Sequence, residues 1–220
     1  MKAEQEGRGG PAKTLICFAL EQEAEALPPK IWSEHATVLI TGIGRKNAEK
    51  SLRDFLALNS PKRVFTCGFA GGLDPELANG AVLFATDDAQ LREELLGAGA
   101  RLAKFFSAGR IATSVAEKRE LHRTTGADAV EMESEAIHAV CRERRVPCAT
   151  VRVISDTAHE DLPLDFNLLS RPDSSLDYGK LAWAIAKSPG KISALLRLQK
   201  NCRIAAERLA EVLAKVIWPQ

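Results

Sequence analysis

The sequence predicts a three-layer α/β/α sandwich around a central twisted sheet, mixed but largely parallel. Short apolar, β-capable runs alternate along the chain with segments of helical period. One run, residues 148–154, is apolar and β-branched except for Thr150 and Arg152, the composition of an inner strand covered on both faces. A chain of 220 residues also supplies one full core without disulfide or metal staples. Residues 1–12 read as a disordered tail and residues 13–220 as a single domain.

Composition narrows the function classes. A net charge of +1 with acids and bases interspersed gives no field for nucleic acid or a membrane surface. No apolar run is long enough to span a bilayer, and the first ten residues are too polar for a signal peptide. Cys17, Cys67, Cys141, Cys148 and Cys202 are odd in number and lack zinc spacing, which points to reduced thiols in a cytoplasmic protein. Neither metal nor cofactor is expected. His159-Glu160-Asp161 reads as solvated surface rather than a metal site.

Residues 14–20, TLICFAL, form the first predicted strand. It delivers Glu21, Gln22 and Glu23, whose acids suit either the positive end of a helix dipole or a site beyond the strand end. Residues 37–41 form a second strand, followed by Gly42-Ile43-Gly44 and a helix over 48–58 with Ala48, Leu52, Phe55 and Leu56 inward. A third strand over 63–67 opens into Gly68-Phe69-Ala70-Gly71-Gly72. Those glycines fit a loop lying against a ligand or a sharp turn. Residues 79–86 make another strand. Residues 89–106 read as helix with a break at 97–99, residues 109–113 as a short strand, and residues 114–123 as a helix with Lys118 and Arg119 exposed.

Residues 129–156 carry the densest signal. Ala129 and Val130 run into Glu131, Met132 and Glu133, where a strand gives way to a helix. In that helix Ala136, Ile137, Val140 and Cys141 face inward while His138 and the charged residues fall on the wet side, and Pro147 ends it. The inner strand stops at Ser155-Asp156. An acid just beyond such a strand is a candidate for chemistry or a cap for the next turn. Residues 157–177 read as a loop or lid and 181–186 as a short helix. Residues 192–217 read as a long amphipathic helix or kinked pair, packed on the domain or on a sister subunit.

These residues, in this order, resemble the nucleoside phosphorylase and nucleosidase superfamily. The resemblance rests on Ala19-Leu20-Glu21-Gln22-Glu23, Gly42-Ile43-Gly44, Gly68-Phe69-Ala70-Gly71-Gly72-Leu73, Val130-Glu131-Met132-Glu133 and Arg152-Val153-Ile154-Ser155-Asp156. It is greatest to the methylthioadenosine and S-adenosylhomocysteine nucleosidases, with features of the hopanoid-associated phosphorylase-like members. It implies a small-molecule nucleoside as partner, a homodimer, and hydrolysis of a 5′-substituted adenosine to release adenine. By that resemblance Asp156 donates a proton to purine nitrogen 7, supported by Ser155, and Glu23 positions the attacking water. Glu133 holds the ribose hydroxyls, Met132 lines the sugar and Glu131 shapes the pocket. Phe69, Ala70 and Gly71 come from the glycine segment, and Ile111 lies where relatives contact adenine.

Three departures from the family pattern stand out. Glu21-Gln22-Glu23 replaces the phosphorylases' Gly-Asp-Pro-x-Arg phosphate loop, Phe69 replaces a Ser or Thr, and the segment between Thr86 and Gly109 is short. The first two favour water over phosphate. The alternatives are a phosphate-dependent phosphorylase, an adenosyl-hopanoid-processing enzyme, and a nucleoside-binding module without catalysis. Whichever holds, an acid that donates near neutrality needs burial to raise its pKa, whereas a water-activating carboxylate must stay ionised.

Overall fold

The computed structural model describes residues 13–27, 35–168 and 189–218. The expected tail at 1–12, residues 169–177 of the expected loop and the helix at 181–186 lie outside those residues. Eight strands form one sheet: β1 (Thr14–Phe18), β2 (Ala36–Ile40), β3 (Arg63–Gly72), β4 (Val82–Thr86), β5 (Arg101–Leu102), β6 (Phe105–Ser107), β7 (Ala129–Glu131) and β8 (Cys148–Asp156). The main order is β2-β1-β3-β8-β4-β5, with β7 joining β3 to β6. The β3–β7 and β4–β8 pairs are antiparallel and the other described pairs parallel, so the sheet is mixed and mostly parallel.

Alternation along β1 decides the layers. Leu15 and Cys17 point to one face, where α2 (Arg45–Leu58) and α5 (Ser134–Arg144) bring Leu52, Leu56, Ile137 and Val140. Ile16 and Phe18 point to the other, where α1 (Glu21–Ala24), α3 (Ala89–Gly97) and α6 (Ile192–Ile217) supply Ala24, Leu91, Leu95, Leu209 and Leu213. α6 is one continuous helix. Its C-terminal half is seated in this core, while Ile192 and Leu196 near its start are exposed.

Several expectations are corrected. The glycine segment is not a loop: β3 continues through Gly72, paired with β8. Its glycines admit neighbouring groups rather than a turn, since a Cβ on Gly72 would meet the Asp156 carbonyl oxygen at 3.4 Å. Residues 89–106 divide into α3 and two short strands, with Asp88 capping α3 through Leu91 N at 2.9 Å. Residues 109–113 form no strand; Asn167 instead takes up the backbone N–H and carbonyl of Ile111. Lys118, in α4 (Val115–Thr125), is completely buried. His138 is half-buried, its Nε2 2.9 Å from Thr150 Oγ1, and burial lowers its pKa.

Candidate active site

The ends of β1, β3, β7 and β8 converge with the starts of α2 and α5 on one rim of the sheet. Where β1 hands over to α1, Ala19 N and Leu20 N donate to Glu23 Oε2 at 3.0 and 2.9 Å. The carboxylate thereby satisfies amides that a helix start leaves bare. Its other oxygen, Oε1, accepts from Phe69 N on β3 at 2.8 Å. Burial pushes the Glu23 carboxyl up to about 7, against the pull of Arg152 and the amides of Phe69 and Leu20.

Gly68 makes this possible. Its φ of +144° is one that side chains rarely adopt, and a Cβ there would run into Glu23 Oε1 and lie 2.6 Å from Arg152 Nη1. The only side chain that fits the position is hydrogen.

Arg152, pointing from the middle of β8, is the hub. Its Nη2 donates to Glu131 Oε2 at 2.8 Å and Glu133 Oε2 at 3.1 Å, and its Nη1 donates to Cys67 O at 3.1 Å. Burial opposes its charge, but Glu131, Glu133 and Glu23 more than restore it. The two glutamates of β7 and its exit differ in kind. Glu131 also accepts from Glu133 N, Ser134 N and Ser134 Oγ at 2.9, 2.7 and 2.7 Å. Burial pushes its carboxyl up, yet Arg152 and those donors leave it below the ordinary range. Glu133 has fewer partners: Oε1 accepts from Gly44 N at 2.8 Å, at the N-terminus of α2, and Oε2 from Arg152. Burial raises its carboxyl despite Arg152, with the nearby Glu131 charge adding to the rise. The Gly42-Ile43-Gly44 turn thus brings its backbone against a carboxylate.

Asp156 closes the rim. A β-bulge in β8 pairs Ile154 with Ala70 and Asp156 with Gly71, leaving Ser155 as the extra residue. Ser155 Oγ donates to Asp156 Oδ1 at 2.7 Å. Burial comes with a counter-ion that sequence reading placed in solvent: Lys118 Nζ lies 2.6 Å from Asp156 Oδ2.

A cavity of about 240 Å³ lies between these groups. Glu23, Glu131, Met132, Glu133, Ser155 and Asp156 line it, with Phe69, Ala70, Gly71 and Ile111. Every residue to which the resemblance gave a catalytic or binding role therefore borders the same space. Sequence reading gave no role to Ile43, Arg110, Leu162 and Phe166 on its wall, or to Leu198 and Cys202, which α6 contributes. Burial beside Asp156 and Glu23 pushes the Cys202 thiol up to about 11. Lys118 and Arg152 did leave a signal: one lies on the inward stripe of α4 with Val115 and Leu121, the other interrupts an apolar strand. Two wider clefts, of about 520 and 650 Å³, open elsewhere and contain none of the predicted residues, so size alone does not mark the site. Among the described residues no cluster of three or more His, Cys, Asp or Glu could hold a metal ion.

A mixed, mostly parallel sheet between helices is the architecture of the phosphorylase superfamily. Residues 88–217, more than half of the chain, match that family, and the chain belongs to it. Its relatives include the aminodeoxyfutalosine nucleosidase of Campylobacter jejuni, 28% identical over 170 residues, or 62% of this chain and 74% of the relative. A 5′-methylthioadenosine/S-adenosylhomocysteine nucleosidase of Glaesserella parasuis is 27% identical over 172 residues, 63% of this chain and 75% of that one. The fold is that of the futalosine hydrolase of Helicobacter pylori, with a TM-score of 0.68 at 16% identity, covering 94% of this chain and 97% of that chain.

Proposed function

We propose that the protein is a purine nucleosidase that hydrolyses the N-glycosidic bond of a 5′-substituted adenosine, of the methylthioadenosine/S-adenosylhomocysteine type, and releases adenine. The observation that carries this reading is the meeting of Glu23, Glu133 and Asp156 on one cavity. The relatives named as nucleosidases support the reaction class. Glu21-Gln22-Glu23, standing where phosphorylases carry their phosphate loop, supports water as the nucleophile.

Cleavage of a nitrogen–carbon bond to ribose passes through an oxocarbenium-like state. Around the cavity Arg152 faces Glu131, Glu133 and Glu23, and Glu131, held below the ordinary carboxyl range, keeps its negative charge near where the sugar becomes positive. Asp156 passes a proton to nitrogen 7 of the departing base. Glu23, whose carboxyl titrates at about 7, takes a proton from the attacking water. Each Glu133 oxygen is bound by one donor and keeps a lone pair, enough to accept from two vicinal hydroxyls. Met132, Ile111 and Phe69 supply apolar wall for sugar and base. Lacking a hydroxyl, Phe69 contributes its backbone N–H, which holds Glu23.

No helix among the described residues is long and apolar enough to cross a membrane. The same reading places the enzyme in the cytoplasm, where its free cysteines stay reduced, as a homodimer that sedimentation would detect.

The test is release of free base from methylthioadenosine, S-adenosylhomocysteine, aminodeoxyfutalosine, futalosine, adenosine and inosine, each with and without phosphate. Release of adenine from a 5′-substituted adenosine without phosphate is expected. Turnover only with phosphate would make it a phosphorylase, and thermal stabilisation by nucleosides without base release would make it a binding module.

A further inference from the structure

Lys118 has no exposed surface, and its ammonium has all three of its donors placed. Nζ lies 2.6 Å from Asp156 Oδ2 and donates to Thr157 O at 2.7 Å and Glu160 O at 2.9 Å. Burying an ammonium costs several kcal/mol of hydration, and an apolar side chain would fill the inward stripe of α4 more cheaply. Other features make room for this pair. The bulge at Ser155 turns Asp156 toward Gly71, where a Cβ would come within 3.3 Å of Asp156 Oδ2 and 3.8 Å of Lys118 Cε. Lys118 does not line the cavity; it stands behind the carboxylate that does.

Resting on the nucleosidase reading, we infer that Lys118 is a positioning residue for Asp156, fixing its carboxyl group toward the base and stabilising the negative charge it acquires when its proton leaves during bond cleavage. In that step the Asp156 O–H bond breaks and an N–H bond forms at purine nitrogen 7. The electron pair of the glycosidic bond goes to the purine, and water adds to the sugar carbon while its proton goes to Glu23. Asp156 becomes an anion as the barrier is crossed, and the ammonium already in place needs no reorganisation to receive it. The donors to Thr157 O and Glu160 O hold Nζ still, so Asp156 Oδ2 has a fixed partner and Oδ1 is left to Ser155 and the cavity.

The experiment is a double-mutant cycle with K118M, D156N and the pair, with K118R as the conservative variant. Wild-type base release is measured first, because its absence defeats the nucleosidase reading by itself. K118M is expected to lower kcat about 100-fold with KM within about threefold, the loss typical of one preorganised charge. In the D156N background it should cost less than about threefold, and K118R should recover at least about tenfold. Equal losses in both backgrounds, or an unchanged kcat in K118M, would overturn the inference, since a scaffold role is indifferent to residue 156. The same cycle is run on adenine binding by calorimetry, which is readable without turnover and with K118R alone should K118M not fold. Adenine affinity that depends on Lys118 only when Asp156 is present supports the coupling, and independence or lack of binding overturns it.

Discussion

Replacing Glu23 by Gln separates the amide contacts its carboxyl group makes from the activation of water proposed for it. Three buried or half-buried amides donate to it: Ala19 N and Leu20 N to Oε2, Phe69 N to Oε1. Gln offers one oxygen and one NH2. In its better orientation the oxygen keeps Ala19 N and Leu20 N while Phe69 N faces another donor. One buried donor left unsatisfied costs about 1–3 kcal/mol. At about 2–4 °C per kcal/mol for a chain of this size, E23Q should melt roughly 2–12 °C lower at about pH 5, where the wild-type carboxyl is still protonated, yet remain folded. Loss of the base should lower kcat about 100-fold to 10,000-fold. Far-ultraviolet circular dichroism, a melting curve and steady-state base release measure both effects on one preparation. A kcat within about tenfold of wild type would refute the role given to Glu23, and an unchanged melting temperature would refute its role as a buried cap.

The raised Glu23 carboxyl also sets a pH dependence. As a base it must be ionised, so kcat/KM should climb as pH rises through about 7, and a profile flat from pH 5 to about 8 would speak against it. Because its pKa is raised from 4.5 to about 7, the folded state holds the proton more tightly than the unfolded chain. About 3 kcal/mol of stability, fully present below pH 4.5, should be lost as pH rises through about 7, and E23Q should flatten that slope in denaturant titrations. Gly68→Ala should destabilise by about 1–3 kcal/mol through overpacking and nearly abolish turnover, because its Cβ displaces Glu23 and Arg152; normal activity with an unmoved Glu23 would contradict the packing. Arg152→Met strands Glu131 and Glu133 without their cation and should cost about 3–5 kcal/mol, a melting loss of roughly 6–20 °C by calorimetry.

What could be read without coordinates follows from the range of the forces involved. Strands β1 and β8 and helices α2 and α5 declare themselves through local periodicity, since burial on one or two faces is written into neighbouring residues. The glycine segment misled because a glycine that admits a side chain from elsewhere looks like a glycine that turns the chain; Glu23 and Arg152, the groups Gly68 accommodates, are 45 residues before it and 84 after it. Lys118 was assigned to solvent by residue type although its spacing put it inside. Buried charge is rare unless paired, and Asp156, its partner, lies 38 positions further on. Leu198 and Cys202 carried no local sign of the cavity, because only the seating of α6 on the sheet brings them there.

In the proposed reaction water, held by Glu23, attacks the sugar carbon while the base leaves toward Asp156. A single turnover of methylthioadenosine in heavy-oxygen water, in phosphate buffer, tests it by mass spectrometry of the sugar product. Free methylthioribose carrying the label at its anomeric oxygen is expected; a sugar 1-phosphate, or adenine release without label, would overturn attack by water.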